Sequence, residues 1–181
     1  MADRSAQAAL DAPAPDPELQ RLAPLLGTWT TQDHTQDGVY GPGVPVTSTE
    51  TFRWLDGGYF LVQEYETTFG EEPTQRGVVY WGYDAEAGRF RLFFFSNNGP
   101  FTEDGNRYEG KVADDRLTFV GPARYQYELD EEGKIKTNPD GTISVVWWVR
   151  DEQGEWQSWM DNTFRKIRDQ PDGHSRPDSV H

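Results

Sequence analysis

The sequence predicts an all-β fold: a closed, up-and-down antiparallel β-barrel of about ten strands, with a short N-terminal helix plugging one end. Three observations carry this. Aromatic-rich segments of alternating character recur from Trp29 to Phe164, turn residues separate them at hairpin spacing, and only one stretch reads as a helix. Strands without helices to cover a sheet face must roll up to bury their apolar side. A doubly wound α/β fold lacks the helices it would need.

The helix comes first. Asp16 is an N-cap, Pro17 suits the first turn, and Leu19, Leu22, Leu25 and Leu26 fall on one face, with Pro24 distorting or ending the last turn. Gly27 breaks it, and a first strand starts over 28–31. Alternation and turn chemistry then place strands over 46–55, 59–68, 77–84, 89–97, 106–113, 116–121, 123–129, 142–150 and 156–166. Asp56-Gly57-Gly58, the run 84–88, Asp114-Asp115 and the run 151–154 are hairpin connections. One domain over 17–167 is expected, flanked by tails at 1–16 and 168–181 whose Ala, Pro, Asp, Gly and Ser cannot bury enough to order themselves.

Composition narrows the partners. Lys and Arg number 17 against 31 Asp and Glu, a net charge of -14. Such a surface repels phosphate backbones and anionic lipid, so neither nucleic acid nor membrane is expected as a partner. With no cysteine, disulfides and thiolate metal sites are excluded. The opening residues include an acidic residue, Asp3, and lack the apolar run of a secretion signal, and no stretch is long enough to span a bilayer, so a cytoplasmic location is expected.

Alternation also assigns faces. Arg89 and Arg91 mark the outer face of their strand, which turns Phe90, Leu92, Phe94 and Ser96 inward. The same logic turns in Tyr108, Gly110 and Val112, then Tyr125 and Tyr127, then Ile143, Val145, Trp147 and Val149, and finally Trp156, Ser158, Met160 and Asn162. The lining is aromatic with a few hydroxyls and amides, as expected of a pocket for a small hydrophobic or aromatic molecule. The candidate ligand contacts are Phe52, Trp54, Tyr65, Tyr80, Phe94, Ser96, Tyr125, Tyr127, Trp147, Met160 and Asn162. The competing reading is a barrel filled by those same side chains. Phe93, Phe95, Val146 and Trp148 are left outside on strands whose other face is already apolar, which suggests a homodimer through them.

Three segments carry a resemblance. Leu22-Ala-Pro-Leu-Leu-Gly-Thr-Trp29, the stretch 48–65 containing Trp54-Leu-Asp-Gly-Gly-Tyr-Phe-Leu-Val-Gln-Glu-Tyr65, and Gly82-Tyr-Asp84 resemble the bacterial family labelled domain of unknown function 1579, a calycin-like barrel family. The resemblance spans Pro17 to about Lys166. It implies the barrel and brings no reaction or catalytic residue with it. In calycin-like barrels the first-strand Trp packs near a basic residue of the last strand, which implies a contact of Trp29 with Arg165 or Lys166. A nitrobindin-like haem site is the rival within such barrels. It fails on ligands, because His34, His174 and His181 lie in a loop and a tail. No cofactor is expected.

Other chemistry is sparse. His34 with Asp33 and Asp37 reads as a solvated acidic loop, and no metal site is expected. Asp104-Gly-Asn-Arg-Tyr-Glu109 reads as a turn entering a strand, without a calcium-loop pattern. Gly41-Pro-Gly43 has neither the Lys nor the helix of a phosphate loop, and no Gly-x-Ser-x-Gly turn occurs. Glu50, on one face with Phe52 and Trp54, and Glu64, between Gln63 and Tyr65, are the remaining catalytic candidates. A carboxyl entering an apolar lumen with Tyr80 or Tyr127 becomes an acid or base poised near neutrality. Three classes follow: a binder of a small hydrophobic or aromatic molecule, a cofactor-free isomerase or cyclase, or a packed dimeric scaffold.

Overall fold

The computed structural model describes residues 13–100, 102 and 105–169. Ten antiparallel strands close into one barrel: β1 (Gly27–His34), β2 (Pro45–Trp54), β3 (Leu61–Phe69), β4 (Gln75–Asp84), β5 (Arg89–Ser96), β6 (Arg107–Ala113), β7 (Arg116–Val120), β8 (Arg124–Glu128), β9 (Ile143–Arg150) and β10 (Trp156–Arg168). Each pairs with its neighbours in sequence, and β1 against β10 completes the ring. Closure leaves no unpaired sheet edge, which is the physical reason a chain with one short helix can be stable in this form. The tails expected at 1–16 and 168–181 fall mostly outside the described residues, as do Asp104, His174 and His181.

Local chemistry sets the hairpins. Ala113 pairs with Arg116, so Asp114-Asp115 is a two-residue loop. Both aspartates have positive φ, 50° and 56°, the left-handed pair that matches strand twist. Gly57 and Gly58, at 95° and 77°, make the turn between β2 and β3 in a conformation that side chains resist.

The helix Pro17–Leu25 is a 3₁₀-helix, with Asp16 accepting a hydrogen bond from the Glu18 N–H at 2.9 Å. A repeat of three residues per turn stacks Leu19, Leu22 and Leu25 on one buried ridge, while Leu26 leaves it half-buried. The ridge closes one end of the barrel. The long β8–β9 connection wraps it: Ile135 N–H donates to the Arg21 carbonyl at 2.9 Å, and Arg21 Nη1 donates to the Gly133 carbonyl at 2.6 Å. Beneath the ridge Phe52, Leu61, Trp81, Phe90, Leu117, Phe119, Ile135 and Ile143 are all but inaccessible and fill the interior.

Trp29 anchors this end. Its Nε1 donates to the Leu25 carbonyl at 2.6 Å, and Lys166, its register partner on β10, places Nζ 5.2 Å from the ring centre. The basic partner implied for this Trp is therefore Lys166.

Candidate functional site

The opposite end of the barrel is hollow. A cavity of about 460 Å³ opens there, with Leu92, Trp81, Tyr127 and Phe164 at its depth and Tyr40, Phe69, Asn98, Pro122 and Trp159 around its mouth. The walls are strand residues of one parity: Ser48 and Glu50 from β2, Gln63 and Tyr65 from β3, Val79 and Trp81 from β4, Phe94 and Ser96 from β5, Tyr125 and Tyr127 from β8, Trp147 from β9, and Met160 and Asn162 from β10.

Much of the wall is π-surface. Tyr65 stacks on Phe94 at 5.5 Å between ring centres, Tyr125 stacks on Trp147 at 4.4 Å, and Trp81 meets Tyr125 edge-on at 6.3 Å. At the mouth Trp159 stacks on Phe69 at 5.5 Å and receives Tyr40, from the loop 35–44, edge-on at 5.7 Å. Offset and edge-on arrangements of this kind rigidify a wall beyond the area they bury.

One ordered polar chain crosses the wall. Trp81 Nε1 donates to Gln63 Oε1 at 3.0 Å, Gln63 Nε2 donates to Glu50 Oε2 at 2.8 Å, and Ser48 Oγ donates to Glu50 Oε1 at 3.1 Å. An indole can only donate, so the direction of the whole chain is fixed and the Glu50 carboxyl stands at its accepting end. Burial pushes Glu50 up to about 7, against the hydrogen bonds from Ser48 and Gln63, which favour the charged form. Burial also holds Tyr65, Tyr125 and Tyr127 above their ordinary values, with the nearby Glu50 charge adding to the shift, so all three are neutral hydroxyls.

Of the residues singled out in the sequence, Tyr65, Phe94, Ser96, Tyr125, Tyr127, Trp147, Met160, Asn162 and Glu50 meet around this one cavity. Phe52 and Trp54 also point inward, but they belong to the packed floor. Tyr80 is on the wrong face: it is 37% exposed and meets Phe95 edge-on outside the barrel. The run Gly77-Val-Val-Tyr-Trp81 has no polar residue to fix its phase, and pairing of Gln63 with Val79 turns Val79 and Trp81 inward instead. Glu64 also faces out, 3.4 Å from Arg53, and leaves the set of acid–base candidates.

In β10 the alternation fails for a different reason. The register slips between Ser158 and Met160, so a bulge at Trp159 resets the faces. Met160 and Asn162 stay inward, whereas Trp156 lies outside under Arg150 and Arg124, whose guanidinium carbons are 4.2 and 5.2 Å from its ring centre. Val112, also expected inside, is exposed near the end of β6.

The outward apolar residues do not form one surface either. Phe93 and Phe95 on β5 are separated from Val146 and Trp148 on β9 by three strands. Trp148 is half-buried beneath Arg124, 4.2 Å away. Trp81, Gln63 and Ser48 were not singled out; a glutamine and a serine beside a carboxylate carry no sequence signal until strand register brings them together. Among the described residues no three His, Cys, Asp or Glu cluster as a metal site would require, and no helix is long and apolar enough to cross a membrane.

Residues 14–166 match the family described as a protein of unknown function, DUF1579. The chain belongs to that family. This DUF1579 member is also similar in structure to Rv2717c from M. tuberculosis, with a TM-score of 0.55 over 85% of this chain and 99% of that one, at 16% sequence identity. At that identity the likeness concerns the fold. No match was found among curated proteins.

Proposed function

We propose that this DUF1579 protein binds a small, largely aromatic molecule inside its barrel. The observation that carries the reading is the hollow end: a void of about 460 Å³ walled by stacked rings and served by a few placed polar groups. Pockets for small ligands have this size and this mixture of apolar wall and sparse polar contacts. The ligand contacts are Tyr65, Phe94, Tyr125 and Trp147 on the walls, with Ser96 and Asn162 as hydrogen-bonding groups nearer the mouth.

The test is to extract the purified protein into organic solvent, identify co-purified small molecules by mass spectrometry, and titrate them back while following indole fluorescence. Saturable quenching is expected in the native protein and its loss in Ser96→Phe, which obstructs the cavity. A clean extract, together with flat titrations across a panel of aromatic compounds, would overturn the reading.

A second reading, a cofactor-free isomerase or cyclase, is favoured by one observation. Glu50, pushed up to about 7, is matched to proton transfer at neutral pH, and it faces the same void as the neutral tyrosines. Under that reading Glu50 alone takes and returns the proton.

A further inference from the structure

We propose that the cavity selects a ligand carrying a protonated nitrogen, an aromatic or alicyclic amine, which pairs with Glu50 and rests against the surrounding rings. The inference rests on the cavity-binding reading and names its ligand class.

Charge in the lining is one-sided. Among the described residues that line the cavity, Glu50 is the one carboxylate, and none is Lys, Arg or His. A ligand bearing a carboxylate or phosphate would bring a second negative charge into an apolar enclosure with nothing to neutralise either one. A cation has the opposite experience: it meets the one lining carboxylate, which has no counter-charge, within a wall of aromatic rings that includes Tyr65 and Trp147.

Hydrogen bonding gives the same answer independently. The chain from Trp81 through Gln63 delivers a donor to Oε2, and Ser48 offers a donor to Oε1. A carboxylate can accept about four hydrogen bonds, so each oxygen retains capacity for a further donor from the cavity. Because Trp81 cannot accept, Gln63 cannot turn its oxygen toward Glu50 without orphaning the indole N–H, so the chain holds Glu50 Oε2 as an acceptor. Net charge supports the approach of such a ligand, since -14 on a chain of this size draws cations toward the mouth.

The groups that bear on the Glu50 charge are few. Tyr65 from β3 and Tyr125 and Tyr127 from β8 face it as neutral hydroxyls, and Tyr108 from β6 lines the same void, while β1, β4 and β10 contribute Thr31, Trp81 and Asn162. Behind the wall the Asp33 carboxylate accepts from Thr31 Oγ1 and, at 3.4 Å, from Asn162 Nδ2, a second acidic group that adds to the attraction for a cation. Glu50 is the carboxyl that lines the void itself, and burial pushes it up to about 7, so its ionisation is what changes the preference near neutral pH.

The experiment compares tryptamine, tryptophol and indoleacetate, which share one ring system and differ in charge, by isothermal titration calorimetry on the full chain. Tryptamine is expected to bind about tenfold or more tighter than tryptophol at about pH 8, with indoleacetate weakest. Its affinity should fall about tenfold on going to about pH 6, as Glu50 takes up a proton, while that of tryptophol stays level. Glu50→Gln should bring tryptamine down to the affinity of tryptophol. Equal affinities for amine and alcohol, a preference that survives Glu50→Gln, or an amine affinity indifferent to pH would overturn the charge assignment and leave the cavity reading standing. Absence of binding by all three probes would overturn both. If Glu50→Gln does not fold, the pH series on the native chain decides alone.

Discussion

The two ends of this barrel are made of the same residue types and do opposite things. At the helix end Phe52, Trp81, Phe90 and Phe119 are buried against one another under the leucine ridge; at the other end Tyr65, Phe94, Tyr125 and Trp147 stand back around a void. The difference lies in what covers each mouth. Leu19, Leu22 and Leu25 give the first end a lid of fixed side chains that the rings can pack against. At the second, among the described residues, the loop 35–44 brings Tyr40, 70% exposed, against Trp159, with Asn98 and Pro122 beside them at the rim. A filled core and an open pocket were alternatives at the level of sequence; in the fold they are neighbours along one axis.

The sharpest way to break this comparison is to truncate one ring at each end. Phe119→Ala removes a fully buried ring in the packed half and should lower unfolding free energy by about 3–5 kcal/mol in denaturant titrations. Phe94→Ala, on a wall that already borders empty space, should cost roughly half as much or less while weakening ligand binding. Similar losses at both positions would mean that the two ends are equally packed.

Next comes Glu50. Burial lifts it from 4.5 to about 7, so between those values the native protein holds a proton that the unfolded chain has released. Stability from this group is full below about pH 4.5 and falls as pH rises through 7, by up to ~3 kcal/mol. Glu50→Gln removes that slope: the variant should match the native chain at about pH 4 and exceed it at about pH 8, as read by chemical denaturation at each pH. An unchanged slope would place the Glu50 carboxyl in solvent.

Two of the three indoles of the lining give a finer contrast. Trp81→Phe leaves Gln63 Oε1 without its donor and should cost about 1–3 kcal/mol. Trp147 Nε1 is buried with no acceptor, so Trp147→Phe relinquishes an uncompensated donor, keeps a ring against Tyr125, and should stay within about 1 kcal/mol of the native protein. The smallest effect expected is that of Lys166→Gln, about 0.5–1 kcal/mol, from loss of the cation over Trp29.

Sequence alone reached the ten strands, the closure and much of the wall, and the reasons are local. Arg89 and Arg91 or Arg124, Gln126 and Glu128 label an outer face unambiguously, so Phe94, Ser96, Tyr125 and Tyr127 could be turned inward from alternation alone. Where polar markers stop, in the run 77–83, Tyr80 and Trp81 exchange faces. Where a bulge adds a residue, at Trp159, every assignment before it inverts. The Gln63–Glu50–Ser48 contacts depend on register between β2 and β3, and register is a property of two strands that neither strand's own pattern contains.

The indole of Trp81 belongs to both halves of the molecule. Its ring is wedged in the solid floor against Phe52 and Phe119, while its N–H points up the chain that ends on Glu50. The protein thus carries a built-in optical probe: ionisation or neutralisation of one carboxylate alters the field across a chromophore whose position is clamped. The emission wavelength of Trp81, isolated by replacing the other tryptophans, should drift with pH in the empty barrel and become insensitive to it once a cation is seated.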